Sequence, residues 1–457
     1  MWRSVRGGAW LLAALIVAES SALLMAAPLI GNGGLLPAGT DFGEPALEVP
    51  RQILTVEREG SQQSFLIALG NLAFGSPEVM GGLARRAGVS CETCHISGET
   101  NAAFFFPGLS AQPGSVDVSS DIFNHAFDDG IFNPLDIPSL RGIKHTAPYG
   151  RDGREASLRA FVRNVVVNEF AGEEPSPLVL DALVAYLRQF ERLPNPKIGP
   201  AGEFTGSPSE AARRGATLFR TPFETMGGQS CASCHQPSGL FLDGRSHDVG
   251  TGGYYDTPTL LNANFTAPYF HDGRAASLED VVTHFNRTFS LGLDARERAD
   301  LAAYLRAVGD GIEPSERKDF AFDMTELATF TGLLDATIED RDPDLVRLIV
   351  DTVNAELREI AEQWYRPTDR RIRGLIAGWA IQLRRVAGHA AAGAWREARE
   401  ALAGYRDLLA AETEEVAASE RHSLYDPGVL GAYLDEVQAL AAARPSDTAS
   451  DNENKSK

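Results

Sequence analysis

The chain has 457 residues, with 62 acidic against 42 basic side chains and a formal net charge of −20. Nucleic acid and anionic membrane surfaces both repel a net anion, so neither is an expected partner. With 44% hydrophobic residues over this length, the chain can bury full-sized cores without a disulfide framework, and the length allows two to four domains.

Read from the N-terminus, Arg3 and Arg6 precede an apolar run from Ala9 to Ala18 and small residues at Ser20 to Ala22, the pattern of an export signal. A second apolar stretch, Leu23 to Ile30, brings the total close to the ~20 residues that span a bilayer. Glu19 sits between the two runs, where an ionised group is costly. Residues 1–30 are therefore expected to be a cleaved signal or an N-terminal anchor, with the folded part outside the cytoplasm.

The four cysteines form two close pairs, Cys91/Cys94 and Cys231/Cys234, with none left over. Residues 136–158 (DIPSLRGIKHTAPYGRDGREASL) and 256–278 (DTPTLLNANFTAPYFHDGRAASL) match without gaps at 13 of 23 positions. Leu183-Val-Ala-Tyr-Leu-Arg188 and Leu301-Ala-Ala-Tyr-Leu-Arg306 match again. Each half thus runs from a cysteine pair through a TAPY–DGR loop to an amphipathic helix, which indicates duplication of one unit. The cysteine pairs lie 140 residues apart and the loops 120 apart, so the first half carries a longer insertion after its pair.

A helix is expected from Ser207 to Phe219, and the proline- and glycine-containing stretch from Pro194 to Pro208 reads as a linker. No alternating strand pattern stands out, so the chain reads as mostly α. After Gly311, residues 343–363 and 369–386 carry apolar stripes at helical spacing, which predicts a further antiparallel helical domain. The polar tail after Arg444 is expected to be disordered.

Cys91-Glu-Thr-Cys94-His95 and Cys231-Ala-Ser-Cys234-His235 are c-type haem attachment motifs. Two thiols three positions apart can each bond a vinyl group on one porphyrin edge, and the next histidine falls under the iron. A bare Cys-x-x-Cys could instead be a redox pair or half of a zinc site. Two copies in register with a duplicated loop favour two covalently bound haems, with His95 and His235 as proximal ligands.

The order of these motifs, ending in Thr266-Ala-Pro-Tyr-Phe-His-Asp-Gly273, resembles the bacterial di-haem cytochrome c peroxidase / MauG family over roughly residues 60–310. The resemblance implies two tandem class-I-like cytochrome c domains, at 50–195 and 205–310, and leaves the last third unexplained, where the apolar stripes place an α-helical domain at 315–443 and the polar composition a tail at 444–457. It implies a peroxidatic haem on His95 and an electron-transfer haem on His235. The function it implies is a periplasmic oxidoreductase that reduces hydrogen peroxide with electrons from a small donor protein, a cytochrome c or cupredoxin-like carrier. A homodimer is in keeping with it. Two other readings stand beside this one. The first is a MauG-like enzyme that oxidises a protein or other large substrate. The second is a non-enzymatic electron carrier or redox sensor.

Carried over residue by residue, the resemblance makes His125 a candidate distal ligand of the first iron, with His145 weaker. The family's sixth ligand on the second haem falls on Phe285, which cannot bind iron, so its neighbour His284 is the candidate, with Met226 and Met324 as outsiders. His271 is expected to support the propionates or the domain interface. Glu169 is the candidate catalytic acid–base. A calcium site maps to Asp136, Thr266 and Pro268. The family's tryptophan between the haems is Arg151 here, and all five tryptophans (Trp2, Trp10, Trp364, Trp379 and Trp395) lie outside the haem region. For the C-terminal helices, partner docking or control of assembly is the expectation.

Overall fold

The computed structural model describes residues 36–43, 46–60 and 63–443. The signal or anchor expected at 1–30 and the tail expected at 444–457 lie outside the described residues. The described residues are mostly α-helical, with three antiparallel two-stranded sheets among them. These pair β1 (Glu48–Pro50) with β6 (Ser315–Arg317), β2 (Ser115–Val116) with β3 (Leu135–Asp136), and β4 (Ser246–Asp248) with β5 (Tyr254–Asp256). The strands are too short to show an alternating pattern in the sequence. No helix among the described residues is long and apolar enough to cross a membrane.

The first half contains α1 (Phe65–Gly75), the single turn α2 (Cys91–Cys94), α3 (Leu158–Asn164) and α4 (Pro177–Leu187). The second half runs in the same order: α5 (Glu210–Arg220), the turn α6 (Cys231–Cys234), α7 (Leu278–Thr288) and α8 (Ala295–Val308). Serine side chains start five of these helices by accepting a backbone N–H: Ser64, Ser157, Ser176, Ser209 and Ser277. In each half the helix before the cysteines packs on the last helix of the unit. The contact is made at a glycine. Gly70 of α1 lies against Ala182 and Tyr186 of α4, and Gly215 of α5 against Asp300 and Tyr304 of α8. The matched Leu-x-Ala-Tyr-Leu segments supply both tyrosines.

Five more helices follow: α9 (Phe320–Asp340), α10 (Pro343–Glu362), α11 (Arg370–Ala391), α12 (Trp395–Ala418) and α13 (Pro427–Ala443). Each of α9 to α11 packs on the next, and α12 returns to α9. Helices α9 and α10 also lie on α1 of the first half, where Ser76 Oγ and Thr352 Oγ1 are 2.6 Å apart. One continuous core therefore joins Leu69, Leu72, Leu183 and Tyr186 to Leu327, Leu334, Val353 and Trp379. The second half has its own core around Phe219, Phe241, Leu278, Tyr304 and Leu305. A third cluster, with Met80, Phe104, Phe106, Phe123 and Phe170, surrounds Cys94.

Candidate functional site

The two cysteine turns are built alike. The Ser90 N–H donates to Thr93 Oγ1 at 3.0 Å, and the Ser230 N–H donates to Ser233 Oγ at the same distance. One helical turn brings the two sulfurs of each pair to the same face. His95 and His235 leave the helical conformation at the C-cap, with ψ of 61° and 76°. Their imidazoles turn toward the carbonyls of Pro138 and Pro258, the third residues of the two matched segments. His235 Nδ1 also lies 3.3 Å from the Phe241 carbonyl. The His95 Nδ1 is buried and falls short of a full hydrogen bond. A ring nitrogen facing a carbonyl holds its proton there and leaves Nε2 as the ligating atom.

Burial sets the protonation of these groups. It pushes the Cys91 and Cys94 thiols up to about 12 and Cys231 up to about 11, with Glu92 adding to the effect on Cys91. It pushes His95 down to about 4 and moves His235 in the same direction. A reactive redox Cys-x-x-Cys has a depressed thiol pKa, and burial moves these thiols the other way. Neutral imidazole is the form that binds iron.

A cavity of about 630 Å³ opens over the second turn, lined by Cys231, Cys234 and His235, with apolar walls from Leu260, Tyr269, Val281 and Phe285. Its size lies in the range of small-molecule and cofactor pockets, ~300–1,000 Å³. Asp136, Pro138, Arg141, Arg151 and Arg192 of the first half complete the wall. Several polar atoms here are buried without a hydrogen-bond partner, among them Asp136 Oδ1, Arg151 Nε, Arg192 Nε and Nη2, and His271 Nδ1. Two thiols, an imidazole, apolar walls and unpaired polar groups fit a haem, which is apolar except for its iron and its two carboxylates.

Of the ligand candidates for the second iron, Phe285 lines this cavity, whereas the His284 Nε2 is 2.8 Å from the Val249 carbonyl. Met226 lines the cavity; Met324 packs against the large shared core. His271 lines the cavity and stacks on Tyr255 with ring centroids 3.8 Å apart. Thr266 and Pro268 share the wall with Asp136. The Asp136 carboxylate is already paired with Arg151 Nη2 at 2.8 Å, and burial raises its pKa to about 7.

Glu169 ends a wider, five-residue helical turn, Val165–Glu169, that continues α3. Such turns are frequent at functional sites. Its side chain is 15% exposed and lies 3.0 Å from Arg154 Nη2. Burial raises its pKa, and Arg154 opposes the rise. His125 is exposed on the long insertion. Its neighbour Asn124 donates from Nδ2 to the Asn168 carbonyl at 2.6 Å, which ties the insertion to the segment carrying Glu169. The tip of that insertion leaves Phe127, Ile131 and Phe132 51%, 62% and 60% exposed. His145 ends a short turn, Ile143–His145, and lines neither described cavity.

Two features were not found from the sequence. Arg192 lies outside the matched segments, and nothing in the local pattern marks it. Cys234, Asp243 and His247 bring ligand atoms within 4.8 Å of one another; the spacing of Asp243 and His247, four apart, was the one available signal.

A family model described as "Di-haem cytochrome c peroxidase" matches residues 209–305. The gamma subunit of hydrazine synthase from Kuenenia stuttgartiensis is 29% identical over 192 residues, covering 30% of this chain and 51% of that protein. The methylamine utilization protein MauG of Methylorubrum extorquens is 27% identical over 293 residues, covering 53% of this chain and 77% of that protein. A solved structure of Kuenenia stuttgartiensis hydrazine synthase superposes with a TM-score of 0.39 at 22% identity, covering 60% of this chain and 97% of that one. The chain thus spans about half the length of the hydrazine synthase subunit it matches. Homology places it in the superfamily of c-type di-haem proteins. Within that class it belongs with the cytochrome c peroxidases, MauG and hydrazine synthase subunits, without coinciding with one of them.

Proposed function

We propose that this protein is a periplasmic di-haem c-type oxidoreductase that reduces hydrogen peroxide at its first site with electrons received at its second. Two tandem cytochrome c units, at 50–195 and 205–310, each hold one haem. The observation that carries this reading is the pair of Cys-x-x-Cys turns, each followed by a histidine facing a proline carbonyl from a matched loop. Covalently bound haem would supply the one-electron chemistry. Cys91, Cys94, Cys231 and Cys234 would attach it, and His95 and His235 would ligate the irons.

Reduction of one hydrogen peroxide to two waters takes two electrons and two protons. Glu169 is the group proposed to move a proton between the two oxygens, and Arg154 holds its carboxylate in place. Ligation of the first iron by His125 requires its exposed ring to turn inward. Ligation of the second by His284 requires its ring to leave the Val249 carbonyl. A calcium ion at Asp136, Thr266 and Pro268 would share Asp136 with Arg151. A small cytochrome c or cupredoxin-like protein is the proposed donor.

One observation favours a second reading, MauG-like oxidation of a large substrate. Phe127, Ile131 and Phe132 form an exposed apolar tip on the insertion tied to the Glu169 segment. The test is an optical and EPR titration of the holoprotein from fully oxidised to half-reduced, with peroxide added at each stage. A first haem that is high-spin and consumes peroxide stoichiometrically with a reduced cytochrome supports the peroxidase reading. Peroxide consumption without oxidation of a small donor favours the large-substrate reading. Two low-spin haems inert to peroxide in every state would leave only an electron carrier or sensor.

A further inference from the structure

The cavity over Cys231, Cys234 and His235 is not closed by its own half. Among the first-half residues in its wall are three arginines, and two of them already hold carboxylates. Arg141 pairs with Glu99 and Glu313, and Arg151 pairs with Asp136. Arg192 differs. It lines the cavity, and its Nε and Nη2 are buried without a hydrogen-bond partner. The adjacent carboxylate, Glu191, is engaged by Lys144 and Thr55, each at 2.7 Å.

The position of Arg192 is fixed from both sides. The Leu193 N–H donates to Asn262 Oδ1 at 2.9 Å, and Asn262 Nδ2 donates to the Leu193 carbonyl at 3.2 Å. Asn262 itself lines the cavity. The guanidinium packs on Gly142, whose φ of +68° and closeness to Arg192 Nε leave no room for a side chain. A buried guanidinium without a hydrogen-bonded counter-ion is costly, and burial moves the Arg192 pKa down to about 10 against the pull of Glu191. A planar carboxylate matches its fork of N–H donors.

We propose that Arg192, supplied by the first half, anchors a propionate carboxylate of the haem attached at Cys231 and Cys234. The proposal rests on the haem reading given above. It makes the cofactor site of the second half depend on a cation from the first. A positive charge fixed beside one haem stabilises the reduced state relative to the oxidised one, because reduction removes a positive charge from the iron. Arg192 is thus a positioning residue that also tunes one potential.

The experiment is a spectroelectrochemical titration of full-length holoprotein as wild type, Arg192→Leu and Arg192→Gln, with haem content measured in each. Both variants are expected to keep two covalent haems, since attachment is through the cysteines. In each, the midpoint of one haem falls while the other stays in place. A tenfold shift in that haem's reduction equilibrium corresponds to about 59 mV for one electron. Arg192→Lys, which keeps the charge without the fork, recovers part of the shift. Two-haem variants with both midpoints at their wild-type values overturn the anchor and leave the haem reading intact. Failure of both variants to fold also overturns it, because anchoring an attached cofactor is not needed to fold the chain. A wild-type chain lacking haem at Cys231 and Cys234 overturns the haem reading itself.

Discussion

At the scale of single residues, the sharpest expectation concerns Glu169 and its cation. Burial raises the carboxyl pKa and Arg154 pulls it back, with burial the larger effect. If the carboxylate takes the first proton from the substrate, activity rises with pH as Glu169 ionises. The acid limb of kcat/KM then lies above the ordinary glutamate value of ~4.3. Arg154→Leu removes the opposing cation and should move that limb to still higher pH. Glu169→Gln should abolish the limb and lower peroxide turnover by roughly 100-fold or more, the size of a general acid–base contribution. A pH–rate series on the three proteins decides the matter. Unchanged turnover in Glu169→Gln would leave the Arg154 pair a purely structural contact. How far residues were legible in the sequence follows from what each one needs. The four cysteines and two histidines announce themselves because their chemistry demands fixed spacing. His284 and Phe285 could not be ranked, since neighbours on a helix point about 100° apart and only the packed helix shows which one faces the cavity. The Asp136–Arg151 pair joins residues fifteen apart, and a sequence shows charges without showing their partners.

At the scale of elements, the fold rests on two helix crossings that close on glycine. A Cβ at Gly70 would overlap the Ala182 carbonyl, and one at Gly215 would overlap the Asp300 carbonyl. The blocking atoms are backbone, so neither helix can relieve the clash by a side-chain rotation. Overpacking of this kind typically costs ~1–3 kcal/mol, occasionally more. Gly70→Ala and Gly215→Ala should each destabilise the protein by at least that amount. Their signatures should differ. The α5–α8 crossing belongs to the separate core of the second half, so Gly215→Ala should loosen the region around Cys231 and leave the rest unchanged. The α1–α4 crossing belongs to the core shared with α9 to α12, so Gly70→Ala should lower the melting of the C-terminal helices as well. Hydrogen exchange resolved by segment measures both effects, and identical exchange patterns in the two variants would count against separate cores. The helices themselves were readable from their caps and apolar stripes. The crossings were not, because a glycine inside a helix advertises a close approach without naming the partner.

At the scale of the whole molecule, the C-terminal helices behave as a buttress to the first half, and this has two measurable consequences. A cleft of about 860 Å³ lies between the Cys91 turn and these helices, lined by Glu92, Lys318, Glu326, Glu356 and Glu359. Burial raises Glu326 to about 7 and moves Glu92 and Glu356 in the same direction, with neighbouring carboxylates adding to the effect on Glu326 and Glu356 and Lys318 opposing it. A carboxyl whose folded pKa is raised stabilises the fold fully below its unfolded value, and that stability is lost as pH rises through the folded value. The protein should therefore melt several degrees lower at pH 8 than at pH 5. Glu326 contributes at most about 3 kcal/mol before solvent in the open cleft reduces it. Glu326→Gln and Glu356→Gln should flatten the dependence, which thermal melts across that range would show. The second consequence is stronger. The amphipathic stripes at 343–363 and 369–386 reveal an apolar face but not what it covers, and the structure sets α9 and α10 of this region against α1. Removing everything after Pro314 strips strand β6 from β1 and opens the core that Leu69 and Leu72, both fully buried in the intact chain, share with α9 to α12. Each such side chain is worth ~1.5–3 kcal/mol, against a total domain stability of only ~5–15 kcal/mol. The truncated chain should lose the first half to proteolysis while the unit from Glu210 to Val308, with its own core, survives as a resistant fragment carrying one haem. A truncated protein that keeps both haems and melts like the full chain would mean that the shared core adds little, and would return the C-terminal helices to a role in docking or assembly.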